Sequence, residues 1–308
     1  MTKAIKGVYA AALTPFTKAG DVDTGRLGAY CSWLLEQGID GVAPLGTTGE
    51  GNSISLAERC RVPGALAKAN IPADRTIFGT GSCAFADAVL ATKSALDAGY
   101  NNVLVLPPFY FKNAPDDGVH AYYARLIETI GDDRLRVYLY HFPQMSMTPF
   151  NVGLVQRLKA DFGSLIAGLK DSSGDLAASI AFAAAADDFD VYPSNEGVYV
   201  DAVKAGCAGV ISATTNASAP FASKVKVADE AAALDAQAKL AAVRKAIAKF
   251  PLSAALKEIQ VSRSGDAAWR EILPPQVALD AQSRRELLSS LSSLSDVVGF
   301  DIANALAA

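Results

Sequence analysis

Leu165-Ile166-Ala167-Gly168-Leu169-Lys170-Asp171-Ser172-Ser173-Gly174-Asp175 runs from an apolar stretch into a polar turn, and an Ala-rich helical pattern over 175–186 follows. A short apolar run bounded by turn residues reads as a buried strand, and apolar spacing of three and four reads as a helix packed on it. The stretch is therefore one βα unit. Working outward, the same unit recurs. Strands are expected at 7–13, 41–45, 76–80, 102–106, 136–140, 165–170, 190–193 and 209–212. Their spacing of roughly 20 to 35 residues is that of consecutive βα repeats. Helical patterns lie between them at 24–37, 56–69, 84–98, 118–130, 151–161, 175–186 and 196–205. Several stop at glycine, as in Gln37-Gly38, Ala98-Gly99 and Ala205-Gly206.

Eight such units predict a closed (β/α)8 TIM barrel. An open doubly wound sheet is the competitor, weakened because no G-x-G-x-x-G follows the first strand. After Asn216 no strand pattern recurs. Helices are expected at 221–250, 252–260 and 283–306, interrupted by a loop holding Pro274-Pro275. The expected organisation is a barrel over 1–220 carrying the catalytic site, with a C-terminal helical extension over 221–308.

Composition excludes several classes. A chain of 308 residues, 51% hydrophobic, can bury a large single core. Charged residues are 19%, the net charge is −4 and no basic patch stands out, so nucleic acid is not an expected partner. Cys31, Cys60, Cys83 and Cys207 lack C-x-x-C spacing and read as free thiols in a reducing compartment. His120 and His141 are too few and too scattered for a zinc site. Lys3 and Lys6 precede an apolar stretch over 8–13 that is shorter than a signal-peptide core. No apolar run approaches ~18 residues. A soluble, cytoplasmic protein without a membrane span is expected.

In a barrel of this kind, functional groups stand at the C-terminal ends of strands and in the loops that follow. Lys170 closes an apolar run where a solvated lysine is out of place. Burial favours the uncharged amine, which can add to a carbonyl and form a Schiff base; a lysine snorkelling from a strand end is the alternative. Gly46-Thr47-Thr48-Gly49-Glu50 follows the second strand and exposes successive N–H groups suited to a carboxylate; it could equally be a plain turn. Tyr140, in Tyr140-His141-Phe142-Pro143, could shuttle protons at the barrel mouth or be a buried structural tyrosine. His141 alternates to the opposite face and is expected to pack against a helix. Pro107-Pro108-Phe109-Tyr110 could pack at a subunit interface.

Together these motifs, in this order and spacing, resemble the dihydrodipicolinate synthase / N-acetylneuraminate lyase family of class I aldolases. The likeness runs from Gly7-Val8 and Thr14-Pro15-Phe16 to Gly209-Val210-Ile211-Ser212 and Asn216. The resemblance implies that Lys170 forms a Schiff base with pyruvate or a related 2-oxo acid and that Tyr140 moves protons. It implies that the Thr47 and Thr48 N–H groups hold the acid's carboxylate. Thr47 would link Tyr140 to Tyr110, with Tyr110 supplied by a neighbouring subunit, and the Ile211 carbonyl would face the ligand. A homotetramer built from tight dimers is implied, with no metal or organic cofactor, because the iminium itself is the electron sink.

Departures bear on the second substrate. Where the lysine-biosynthetic synthases place an arginine for the aldehyde's carboxylate, this chain has Met145. Losing a charge-assisted contact weakens that reading. His141 stands where asparagine is common, and Phe142 adds bulk beside Tyr140. Asn195 and Glu196 match positions that face substrate hydroxyls in sugar-acid lyases; they could also be surface residues. The leading expectation is a pyruvate-dependent aldolase acting on a 2-oxo-3-deoxy sugar acid or a similar hydroxylated 2-oxo acid. Rivals are dihydrodipicolinate synthase condensing pyruvate with aspartate semialdehyde, a Schiff-base dehydratase, and a non-catalytic binder of 2-oxo acids.

Overall fold

A computed structural model describes residues 5–307, so Lys3 lies outside the described residues. Eight parallel strands form the ring: β1 (Gly7–Ala10), β2 (Gly41–Val42), β3 (Phe78–Gly79), β4 (Asn102–Val105), β5 (Arg136–His141), β6 (Ile166–Asp171), β7 (Asp190–Pro193) and β8 (Gly209–Ser212). Ladder pairing joins β2 to β1 to β8, and β3 through β7 in sequence. Two seams close the circle. Ile77 N donates to Val42 O at 3.0 Å across β2 and β3, and Ala208 N donates to Val191 O at 2.9 Å between β7 and β8. The closed barrel that the eight repeats predict is the observed one.

Helices alternate with the strands: α1 (Thr24–Glu36), α2 (Leu56–Lys68), α3 (Phe85–Asp97), α4 (Asp116–Ile130), α5 (Val152–Phe162), α6 (Leu176–Ala183), α7 (Tyr199–Lys204) and α8 (Thr215–Ala222). Side-chain caps set several starts. Asp23, Ser55, Asn151 and Asp175 each accept an N–H from the first turn that follows, so these residues flank helices rather than belong to them. That moves the expected starts at 151 and 175 by one residue.

Beyond α8 lie α9 (Glu230–Ile247), α10 (Leu252–Ser264), α11 (Ala281–Leu291), α12 (Ser295–Val298) and α13 (Ile302–Ala307). The single helix expected over 221–250 is broken. α8 ends at Ala222, and Asp229 starts α9 afresh by accepting the Ala232 N–H. The helix expected over 283–306 is likewise divided, because Gly299 takes φ +75° and ends α12. α8 straddles the 220/221 boundary expected from sequence. Among the described residues no helix is long and apolar enough to cross a membrane.

Two layers of core follow from strand alternation. One side of each strand packs on the helices, and the other fills the barrel, where Tyr9, Tyr138 and Tyr192 meet with Tyr9 and Tyr138 each 6.0 Å from Tyr192. Glycines make room for these rings. A Cβ on Gly41 would sit 2.0 Å from the Tyr9 ring, and one on Gly168 would sit 2.9 Å from that of Tyr138. Large and small residues therefore interlock across the lumen, as a filled barrel requires. Tyr192 also donates its hydroxyl to Ile5 O at the N-terminal end.

His141 falls in the outer layer, as its alternation predicts. It packs on Phe182 and Phe150, and its Nδ1 accepts the Phe150 N–H at 3.0 Å, which leaves the neutral ring's proton on Nε2. Burial lowers its pKa against a smaller opposing pull from Asp171. A histidine held below its ordinary value contributes stability that is present above about pH 6.5 and is lost as pH falls through the folded-state value. Urea unfolding at about pH 7.5 and about pH 5.5 should therefore show a larger stability loss in the wild type than in His141→Gln, whose amide oxygen can still accept the Phe150 N–H. Equal losses in the two proteins would remove this role from His141.

Candidate active site

β5 and β6 run in register with Tyr140 opposite Lys170. Both residues sit near the C-terminal ends of their strands and point into the lumen, with Tyr140 among the barrel-filling residues. Lys170 is 3% exposed. Its Nζ lies 3.5 Å from the Tyr140 hydroxyl and 4.6 Å from that ring's centroid. On the far side the Tyr140 hydroxyl lies 3.3 Å from Thr47 Oγ1. Amine, phenol and alcohol thus form a short relay. Such a set can deliver a nitrogen nucleophile and move protons to and from the oxygen it displaces.

The loop after β2 brings Thr47 and Thr48 to this point. The strand expected to continue to Leu45 stops at Val42, because Leu45 adopts φ +60° and turns the chain. Within the loop Glu50 N donates to Thr47 O and Gly51 N to Gly46 O, each at 3.0 Å. Among the described residues the Thr47 and Thr48 N–H groups meet no acceptor. Two adjacent free donors can receive an anionic group such as a carboxylate.

A cavity opens here, lined by Gly46, Thr47, Asn52, Gly79, Gly81 and Tyr140 among others. Asn52 and the two glycines escaped the sequence reading. A Cβ on Gly79 would stand 2.4 Å from Leu45 O, and one on Gly81 would stand 2.5 Å from Leu106 N. Both positions must be glycine for the loops after β2 and β4 to close on the end of β3. The pair Gly79-Thr80-Gly81 after an apolar run was the available signal. Arg59, buried on α2, donates to Gly81 O at 2.9 Å and pins the same corner; burial lowers its pKa.

The remaining sequence candidates are placed differently. Ile211 lies in the lumen on β8, fully buried. Tyr110 follows β4, is 74% exposed and contacts Phe111 edge-on, away from Thr47. Met145 is exposed on a helical turn, Pro143–Ser146. The Asn195 side chain accepts the Gly197 N–H at 2.8 Å. Glu196 is 0% exposed and accepts from Ser218 Oγ at 3.3 Å, with its other oxygen unpartnered among the described residues. One chain therefore joins Lys170, Tyr140 and Thr47 through side-chain contacts, with Thr48 next in the loop and Ile211 in the same lumen. Of the sequence candidates Thr47 and Tyr140 line the cavity, and Tyr110, Met145, Asn195 and Glu196 make none of these contacts. Among the described residues no group of three His, Cys, Asp or Glu side chains is placed to hold a metal ion.

Comparison with known proteins identifies the family. The model of the dihydrodipicolinate synthetase family matches residues 4–294. An uncharacterized DapA-like lyase of Chloroflexus aurantiacus is 36% identical over 258 residues, covering 82% of this chain and 85% of that protein. The crystal structure of dihydrodipicolinate synthase from Agrobacterium tumefaciens is 31% identical, with a TM-score of 0.83 and coverage of 94% and 99% of the two chains. A prophage protein of the dihydrodipicolinic acid synthase family from E. coli K12, solved with pyruvate, shares the fold at a TM-score of 0.87 and 23% identity, over 95% and 99% of the chains. The chain belongs to the dihydrodipicolinate synthetase family and is a lyase of aldolase type on a TIM barrel.

Proposed function

We propose that this lyase works through a Schiff base between Lys170 and pyruvate, and that its substrate is a 2-oxo-3-deoxy sugar acid or a similar hydroxylated 2-oxo acid. The single observation that carries this reading is the line of groups Lys170 Nζ, Tyr140 hydroxyl and Thr47 Oγ1, with steps of 3.5 and 3.3 Å, beside the free N–H groups of Thr47 and Thr48.

The Thr47 and Thr48 N–H groups receive the carboxylate, which brings the ketone carbon to Lys170. The Lys170 amine adds to C2, and the carbinolamine loses its hydroxyl as water after a proton reaches it through Tyr140. In the iminium, Tyr140, which has given its proton to the departing hydroxyl, takes the C4 hydroxyl proton, and the C3–C4 electrons flow to nitrogen. An aldehyde departs and an enamine remains. Protonation at C3 and addition of water then release pyruvate and restore the amine. Tyr140, between Lys170 and Thr47, is the proton carrier at the displaced oxygen. Tyr110, exposed on its loop beside the 80% exposed Phe111, is the residue we expect a second subunit to bring to Thr47, in a homotetramer of paired dimers.

Met145 favours the sugar acid over aspartate semialdehyde, since a thioether offers nothing to a carboxylate. The likeness to the Agrobacterium synthase keeps the second reading in view, and substrates separate the two.

Borohydride reduction in the presence of pyruvate should add the reduced adduct's mass to the peptide holding Lys170, and Lys170→Ala should show no addition. An unmodified wild-type protein would end the Schiff-base reading. Among sugar acids and aldehydes, pyruvate release from 2-oxo-3-deoxy sugar acids should exceed pyruvate consumption with aspartate semialdehyde; the reverse order would make the chain a synthase. Tyr140→Phe should lower kcat by at least ~10²-fold, the usual loss for a proton-transfer residue. A near-native rate would take Tyr140 out of that role.

A further inference from the structure

The loop that carries Thr47 and Thr48 is bracketed by two non-glycine residues in the left-handed region, Leu45 at φ +60° and Glu50 at φ +57°. Side chains resist that conformation, and it persists only where surrounding contacts over-determine it. At Leu45 the constraint is the close seat of the loop on Gly79. At Glu50 it comes from the C-terminal helices.

Glu50 and Lys257 are an ion pair sealed from solvent: Lys257 Nζ lies 2.5 Å from Glu50 Oε1, with side-chain exposures of 2% and 0%. The pair is built on both sides. Glu50 Oε2 accepts the Leu273 N–H at 2.9 Å, while Lys257 donates to Glu271 O at 2.7 Å and stands 4.3 Å from the centre of the Phe16 ring. One turn earlier on α10, Ser253 Oγ donates to Thr48 O at 3.4 Å, and Thr14 Oγ1 donates to Gly49 O at 2.7 Å. The segment from Thr48 to Glu50 is thus held by α10, by the segment at Leu273 and by the loop after β1. Buried pairs of this kind are poor sources of net stability, because both charges lose their hydration. Their geometric demand is strict, however, since either charge left alone is costly. A device of that type fits a task of placement.

We propose that the Glu50–Lys257 pair is a positioning device that fixes the Thr47 and Thr48 N–H groups for the carboxylate of the 2-oxo acid. The inference rests on the Schiff-base reading above and extends it: α10, outside the barrel, becomes part of acid recognition. Neither residue touches the ligand. Their effect reaches it through the backbone between Thr47 and Glu50.

The test uses Lys257→Met, which keeps the stem against Phe16, and the neutral double variant Glu50→Gln/Lys257→Met, which leaves no unpaired buried charge and so guards against loss of folding in the single variant. Borohydride trapping on Lys170 is titrated with pyruvate and, separately, with hydroxyacetone, a ketone that lacks the carboxylate. Both variants should need about tenfold more pyruvate for half-maximal trapping, while the hydroxyacetone curve moves by less than about twofold. The pyruvate KM for aldol addition should rise more than kcat falls. A cooperatively melting double variant with the wild-type pyruvate curve would overturn the proposal. Equal losses for both ketones would overturn it too, since that is the mark of general damage to the site. Failure of the wild type to trap pyruvate at all is a separate result, and it would strike the Schiff-base reading itself.

Discussion

The pairing of β5 with β6 is the constraint on which the site depends. Side chains on a strand alternate between faces, so a slip of one residue would send Lys170 into the helical layer and bring Asp171 into the lumen. The register that sets Tyr140 against Lys170 is fixed by burial on both faces: Leu139 and Leu169 go outward to the helices, and Tyr138 fills the space over Gly168. The same packing that gives the barrel a core therefore aims the amine and the phenol at one point.

The loop after β2 supplies the second half of the site by a different logic. Its backbone is unfavourable by itself, with two left-handed residues that carry side chains, and it is stabilised by what surrounds it. Glycines at 79 and 81 allow the close approach, Arg59 holds the corner, and the Glu50–Lys257 pair ties the loop to α10. Rigid strands position one set of groups, and a braced loop positions the other. On the proposed reading, recognition of an acid and attack on its ketone would thus fall to separately supported parts of the structure.

Much of this was legible from the chain alone, and the reasons are local. The eight apolar runs follow from periodicity, and Lys170 and the Gly46–Glu50 loop stand out by their place at strand ends, although their roles came only from the family resemblance. Helix boundaries were less legible, because a cap such as Asp229 changes the chain's direction without changing its helical composition. Lys257 and Arg59 were not legible at all. On their helices they resemble ordinary solvated charges, and only tertiary contact reveals that each is buried against a distant loop. Glu196 was hidden in the same way: a carboxylate beside a strand end reads as accessible until the packing of α8 over it is known.

The three tyrosines that fill the lower barrel have a further consequence. Their phenol pKa values are pushed upward, chiefly by burial, so they stay uncharged, and their rings pack together across the lumen toward the N-terminal end. A lumen filled at that end leaves the C-terminal mouth, where Lys170 stands, as the side from which a ligand would approach. Under the proposed Schiff-base reading, with the pyruvyl fragment tethered at Lys170 and the aldehyde nearer the mouth, cleavage would have a built-in queue: the aldehyde would exit before water frees the remaining fragment. In the synthetic direction the order would invert, with pyruvate entering first.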